Sequence, residues 1–332
     1  MRHPHLPNRA YPLPIPALPR TLATLLAATL LTSQAAHADD GYPSQLRIGY
    51  QKGNSLVLLK TRGTLEKALA AHHVAVQWHE FAFGPPLVEG INAGSIDLGF
   101  VGASPPVFAQ AGAAPEVTYV GYSAPYQDNY AILVPKGSPA QHFSDLKGKR
   151  IAVAKGSAGE YLLLSALDQA HWQLSDINEA YLGYSEARAA FERGDVDAWV
   201  VPDPRLADTE LASGARTVIR ARDLPAQYSF YIAPRPFAQQ YPKAVAQVLQ
   251  QLDATEQYAK AHPDEAAQVL SDDTRVPLAV WQKALARQPW GVYYPLSAQV
   301  LGSQQQVADT FYRYKLIPKP VKVADAAVAV QP

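Results

Sequence analysis

One local pattern occurs twice. Arg47-Ile48-Gly49-Tyr50-Gln51-Lys52-Gly53-Asn54 returns about a hundred positions later as Arg150-Ile151-Ala152-Val153-Ala154-Lys155-Gly156-Ser157, each a short apolar run closing on Lys-Gly and a small polar residue. Apolar residues then recur at helical spacing, Leu56, Leu59, Leu65 and Leu69 after the first copy and Tyr161, Leu162, Leu164 and Leu167 after the second. Both copies therefore read as a strand, a tight turn and a helix N-terminus. A second echo keeps the order: Gly94-Ser95-Ile96-Asp97 opens Leu98-Gly99-Phe100-Val101, and Gly194-Asp195-Val196-Asp197 opens Ala198-Trp199-Val200-Val201. Two similar α/β lobes in one chain imply a cleft between them, where small molecules bind.

The first forty residues stand apart from that pattern. Arg2, Arg9 and Arg20 precede the apolar run Leu22 to Leu31, which ends near Ala36-His37-Ala38. This predicts an export signal over residues 1–38 with an A-x-A cleavage site. The apolar run is too short to span a bilayer, so a soluble exported protein of 294 residues is expected. Without the three signal arginines, 26 cationic side chains face 29 anionic ones, which argues against a basic nucleic-acid surface. There is no cysteine, which excludes disulfides, thiolate chemistry and lipid attachment through an N-terminal cysteine. A free periplasmic monomer is the expected form.

Periodicity predicts strands at 46–51, 74–81 and 97–101 with helices at 55–71 and 84–93, then a helix from Pro105 and strands at 117–122 and 130–135. The second series has strands at 150–154 and 196–201 with helices at 158–171 and 185–193. After Tyr228-Ser229-Phe230-Tyr231-Ile232, residues 239–260, 263–270, 276–286 and 297–314 are all helical in period. Alternation of this kind predicts parallel-rich mixed sheets flanked by helices. An economical topology has lobe 1 from 39–130 plus 228–317, lobe 2 from 131–227, a two-strand hinge at Tyr130-Val134 and Ser229-Ile232, and a loose tail over 318–332.

Ligands of α/β sheets meet loops at strand carboxyl ends, and three such loops lead into helix N-termini. They are Gln51 to Asn54, Gly102-Ala103-Ser104, and Lys155-Gly156-Ser157-Ala158. Their unpaired N–H groups and partial positive charge suit an oxyanion, with Asn54, Ser104 and Ser157 as side-chain donors. Those three residues are equally good as ordinary N-caps. Enzyme motifs are weak: Lys155-Gly156-Ser157-Ala158-Gly159 lacks the first glycine of a nucleophile elbow, and there is no phosphate loop. His72-His73 with His79 lacks metal-binding spacing, so neither metal nor cofactor is expected. Asp97 and Asp197 read as structural residues at strand starts. Tyr122, Tyr126, Tyr130, Tyr228, Trp290, Tyr293 and Tyr294 suit either an organic ligand or lobe packing.

The segments Leu46 to Gly53, Gly94 to Gly99, Pro105-Pro106-Val107-Phe108-Ala109-Gln110, Asp145 to Val153, Lys155-Gly156-Ser157, Ala187-Arg188-Ala189-Ala190-Phe191, Gly194 to Trp199 and Asp203-Pro204 together resemble the aliphatic sulfonate-binding proteins of ABC transporters. The resemblance spans nearly all of the chain after the export signal. It implies a two-lobed type II periplasmic binding protein, a Venus flytrap that closes on a sulfonate and delivers it to an ABC permease with its ATPase for sulfur acquisition. It also places Gln51, Gly53, Asn54, Ser104, Gly156, Ser157 and Asp203 at the cleft, to which Gly102, Ala103 and Ala158 are added from the loop pattern and Tyr130 from the aromatic set.

Ala103 stands where the family commonly has an acid, Pro202 where it has tryptophan, and Tyr126 to Tyr130 replaces a stretch rich in lysine and proline. These departures predict a larger or more aromatic sulfonate, or a sulfate ester, over taurine, whose ammonium prefers an acidic partner. The alternatives are a receptor for nitrate or a pyrimidine precursor, or an enzyme on the same scaffold.

Overall fold

A computed structural model describes residues 41–112 and 117–330; the expected export signal lies outside the described residues. In chain order the first series is β1 (Gln45–Tyr50), α1 (Ser55–Arg62), α2 (Thr64–Ala70), β2 (Ala75–Glu80), α3 (Gly84–Asn92), β3 (Leu98–Val101), α4 (Ser104–Ala111) and β4 (Val117–Ser123). The second is β5 (Tyr130–Val134), β6 (Arg150–Val153), α5 (Ala158–Gln169), β7 (Asn178–Tyr181), α6 (Tyr184–Arg193), β8 (Ala198–Pro202), α7 (Arg205–Ser213) and β9 (Arg216–Arg220). The chain finishes with β10 (Phe230–Pro234), α8 (Arg235–Gln240), α9 (Pro242–Ala261), α10 (Pro263–Thr274), α11 (Leu278–Leu285), β11 (Val292–Tyr293) and α12 (Ala298–Arg313).

Two sheets result, ordered β11-β4-β10-β3-β1-β2 and β7-β6-β8-β5-β9. In the first, β1 lies parallel to β2 and β3, and β10 runs antiparallel to β3. In the second, β6 lies parallel to β7 and β8, and β5 runs antiparallel to β8. The sequence echo is thus a structural repeat. Its shared geometry starts each parallel core in the same way: Arg47 N donates to Asp97 Oδ2 at 2.7 Å while Asp97 N donates back to Arg47 O at 2.8 Å. Arg150 N and Asp197 repeat both contacts at 2.8 Å. The two aspartates therefore satisfy the backbone at the strand starts.

Gly49 and Gly99 are register partners across β1 and β3. A Cβ at Gly99 would lie 2.4 Å from Leu87 Cδ2, and one at Gly49 would lie 3.0 Å from Leu87 Cγ, so the bare glycines let α3 lie close on the sheet. The helix expected over 55–71 is two helices. Gly63 breaks it at φ +61° and its N–H caps Leu59 O, a left-handed turn that suits glycine.

Strands β5 and β10, expected to cross between lobes, instead belong wholly to one sheet each. The crossings are residues 124–129 and 221–229, which pair with one another: Tyr126 N donates to Gln227 O at 2.8 Å and Arg222 N to Gln127 O at 3.1 Å. Residues 318–330, expected as a loose tail, pack against the first sheet. Val323, Ala326 and Val330 are buried, and Val328 N donates to Tyr119 O at 3.1 Å. No helix of the described residues is long and apolar enough to cross a membrane.

Candidate functional site

Between the two sheets lies a cavity of about 150 Å³. Gln51, Gly53, Asn54, Gly102, Tyr130, Ser157, Ala158 and Asp203 line it; Ala103, Ser104 and Gly156 are not among its lining residues. Five helices begin at its wall rather than three. To α1, α4 and α5 the structure adds α3, through Phe83, Gly84 and Pro85, and α7, through Asp203 and Arg205.

The serines are engaged elsewhere. Ser104 Oγ donates to Ser157 O at 2.8 Å, a bond between the halves built on the two sheets. Ser157 Oγ donates to Ala154 O at 2.6 Å and caps α5 by accepting from Glu160 N at 3.3 Å. Asn54 caps α1 through Oδ1, which accepts from Leu56 N at 3.0 Å, and also lines the cavity. Ala103 is fully buried and its carbonyl accepts from Gln304 Nε2 at 2.6 Å. The expected donor set thus divides: backbone carbonyls take the Ser104 and Ser157 hydroxyl protons, while Asn54 and newly placed side chains line the space.

Arg205 is the principal residue that sequence reasoning missed. It opens α7, lines the cavity and lies 4.5 Å from the Tyr184 ring centroid, and no acidic side chain pairs with it among the described residues. Lys52 also lines the cavity but is half-exposed and sits 3.6 Å from Glu80. The lining carboxylates are already held. Asp203 accepts two bonds from Arg287, at 2.5 and 2.7 Å, and Glu256 accepts from Ser55 Oγ at 2.5 Å and Gly291 N at 2.7 Å.

The remaining wall is aromatic. Phe83, Phe100, Tyr126, Tyr130 and Tyr184 line it, with Tyr126 OH 2.6 Å from Ser229 Oγ and Tyr130 OH 3.1 Å from Tyr184 OH. Burial pushes the Tyr126 phenol up to about 12 and those of Tyr130 and Tyr184 upward, so all three remain protonated donors. Tyr122 instead packs against Tyr228 and Tyr293, with ring centroids 5.8 and 5.4 Å away, and none of the three lines the cavity.

Gly156 has a specific competitor. Its N–H donates to Glu160 Oε2 at 2.6 Å, so a carboxylate on α5 occupies the donor expected to face a ligand. Burial raises the Glu160 carboxyl above its ordinary value against the opposing pull of that bond. A raised carboxyl contributes stability that is present at low pH and lost as pH rises through the folded value. Glu160→Gln keeps the shape and the acceptor without that cost. It is expected to melt a few degrees above the parent at pH 8, with the gap closing toward pH 4; thermal melts across that range check it.

The family model described as NMT1/THI5 like matches residues 86–266. An aliphatic sulfonates-binding protein of Escherichia coli (strain K12) is 38% identical over 299 residues, covering 90% of this chain and 93% of its own. The solved structure of the alkanesulfonate-binding protein SsuA from Xanthomonas axonopodis pv. citri bound to MOPS is similar at TM-score 0.80 and 41% identity, over 86% of this chain and 98% of that one. The periplasmic aliphatic sulphonate binding protein SsuA from Escherichia coli gives a TM-score of 0.81 at 38% identity, with coverages of 86% and 98%.

Proposed function

The chain belongs to the NMT1/THI5-like family and, within it, to the aliphatic sulfonate-binding proteins, and from that premise we propose that it is a periplasmic receptor that captures an organic sulfonate between two lobes and delivers it to an ABC importer. One observation carries the ligand's charge: five helix N-termini and Arg205, which has no acidic partner among the described residues, surround a cavity whose two carboxylates, Asp203 and Glu256, are already bound by protein donors. Such a site favours an anion, because partial positive charge converges on it and no free acid opposes it.

The same feature disfavours taurine. Its ammonium would need an acidic partner, and both acids of the wall are engaged. A cavity of about 150 Å³ accepts a guest of roughly benzene size, so the sulfonate and its first carbons meet Tyr126, Tyr130 and Tyr184 of its wall. The lobes are the described residues of 41–123 with 230–330 and those of 130–220, and closure turns about the paired crossings 124–129 and 221–229.

An enzyme on this scaffold is the second reading. It would need a nucleophile or general base facing the guest, yet the chain has no cysteine and no histidine is among the lining residues. Calorimetry against butanesulfonate, benzenesulfonate, a phenyl sulfate ester, taurine and nitrate separates the readings. Butanesulfonate or an aromatic analogue is expected to bind at least about tenfold more tightly than taurine or nitrate, a difference of roughly 1.4 kcal/mol. Tightest binding to taurine overturns the specificity, and binding of nitrate without any sulfonate overturns the receptor class.

A further inference from the structure

Arg287 follows α11 in the half built on the first sheet, yet all its side-chain bonds go to the other half. Nε and Nη2 clasp Asp203 at 2.5 and 2.7 Å, and Nη1 reaches Glu210 Oε2 at 3.0 Å. Lys283 of α11 adds a 3.1 Å contact to the same Glu210 oxygen. The three central side chains are only 8 to 12% exposed, so water screens the clamp weakly.

The far end of this clamp is the ligand's wall. Asp203 Oδ1 also accepts from Ala207 N at 3.0 Å, capping α7, and Asp203 N donates to Asn129 O at 2.9 Å beside the crossing. One residue thus joins the segment after α11 and the start of α7 through its carboxylate, and a crossing segment through its backbone N–H. Arg205, the first residue of α7, points its charge at the cavity from that fixed start.

We propose that Arg287 is a positioning residue that latches the halves: it holds Asp203, and through it Arg205 and the α7 N-terminus, against the bound anion, and its release sets the rate at which ligand leaves. The role of Arg205 in this statement rests on the receptor reading above; the latch itself rests on the geometry. Another ion-paired tie between the halves, from Asp168 to Tyr314 OH at 2.8 Å and to Arg313, lies near Pro225 on a crossing segment. A contact near the pivot moves little on opening. The Arg287 clamp lies at the start of α7, where opening must separate its partners.

Removing one partner leaves a buried charge unpaired in the closed form only, so the closed population falls. Association begins from the open form and is little affected. Stopped-flow tryptophan fluorescence with butanesulfonate is expected to show dissociation about 10- to 100-fold faster in Arg287→Ala, with association within about threefold of the parent. Arg287→Lys is expected to fall between them, since an ammonium cannot reproduce the two-pronged bond. A dissociation rate of Arg287→Ala within threefold of the parent overturns the latch, as does an Arg287→Lys rate equal to that of the parent.

A readout without ligand keeps this separate from the receptor reading. Because the chain has no cysteine, spin labels placed by Ala212→Cys in α7 and Ala254→Cys in α9 report the distance between the halves. Arg287→Ala is expected to shift that distribution toward longer distances, and an unchanged distribution overturns the latch. Failure of the parent to bind any sulfonate with a shifted distribution would overturn the receptor reading alone.

Discussion

Arg205→Ala is expected to weaken butanesulfonate binding by about 100-fold or more while leaving the fold intact. The guanidinium has no carboxylate to neutralise it among the described residues, and its one described contact is the face of Tyr184. An anion entering the cavity between the halves supplies the missing partner, and truncating one member of a buried hydrogen-bonded charge pair costs about 2–5 kcal/mol. Lys52 cannot substitute, because it is half-exposed and already near Glu80. Arg205→Lys keeps the charge but loses the planar fork and the stacking, so an intermediate loss of about tenfold is expected. Calorimetry gives both affinities and thermal melting the control. Because Arg205 makes no ion pair that the fold needs, the melting temperature should stay within a few degrees of the parent. Parent-like affinity in Arg205→Ala would show that helix N-termini hold the anion alone.

Why Arg205 escaped the sequence is instructive. The helix it opens, Arg205 to Ser213, buries only Leu206, Ala207 and Thr209, so its apolar period is too thin to announce a helix or its N-terminus. The strands β7 and β9 were missed for a related reason: both lie at sheet edges, and their polar, half-exposed residues give no clear alternation. The duplicated turn was legible because both copies carry buried strands and caps with strong local chemistry, and the aspartates at 97 and 197 hold the two strand starts alike.

Where serine hydroxyls go could not be read. Ser104 and Ser157 are at helix starts, as expected, but only the folded arrangement shows that one bonds across the cleft and the other bonds back to Ala154. A cap residue is a local inference. Whether its proton is free for a ligand depends on groups far away in sequence. The same limit applied to Asp203, whose type and position suggest a ligand contact but whose oxygens face Arg287, eighty-four residues on.

Gly102→Leu is expected to abolish tight binding by a different route, since it removes no ligand contact. Gly102 follows β3 on one side of the cleft and Ala158 begins α5 on the other; a Cβ on Gly102 would lie 2.7 Å from the Ala158 Cβ and 3.3 Å from Tyr126 OH. The backbone at Gly102 is outside the left-handed region, so a side chain strains nothing locally. Its obstacle is the opposite lobe. In the open form the leucine has room, whereas closing drives it into the first turn of α5, where overpacking costs about 1–3 kcal/mol. That cost appears wholly as a shift toward the open population, so affinity for butanesulfonate should fall up to about 100-fold through faster dissociation. Gly102→Ala carries a single methyl and should lose about tenfold or less. A melting temperature close to that of the parent without ligand, with a smaller rise on adding ligand, would distinguish a wedge from a folding defect. Parent-like affinity in Gly102→Leu would mean that the two walls need not meet for the anion to be held.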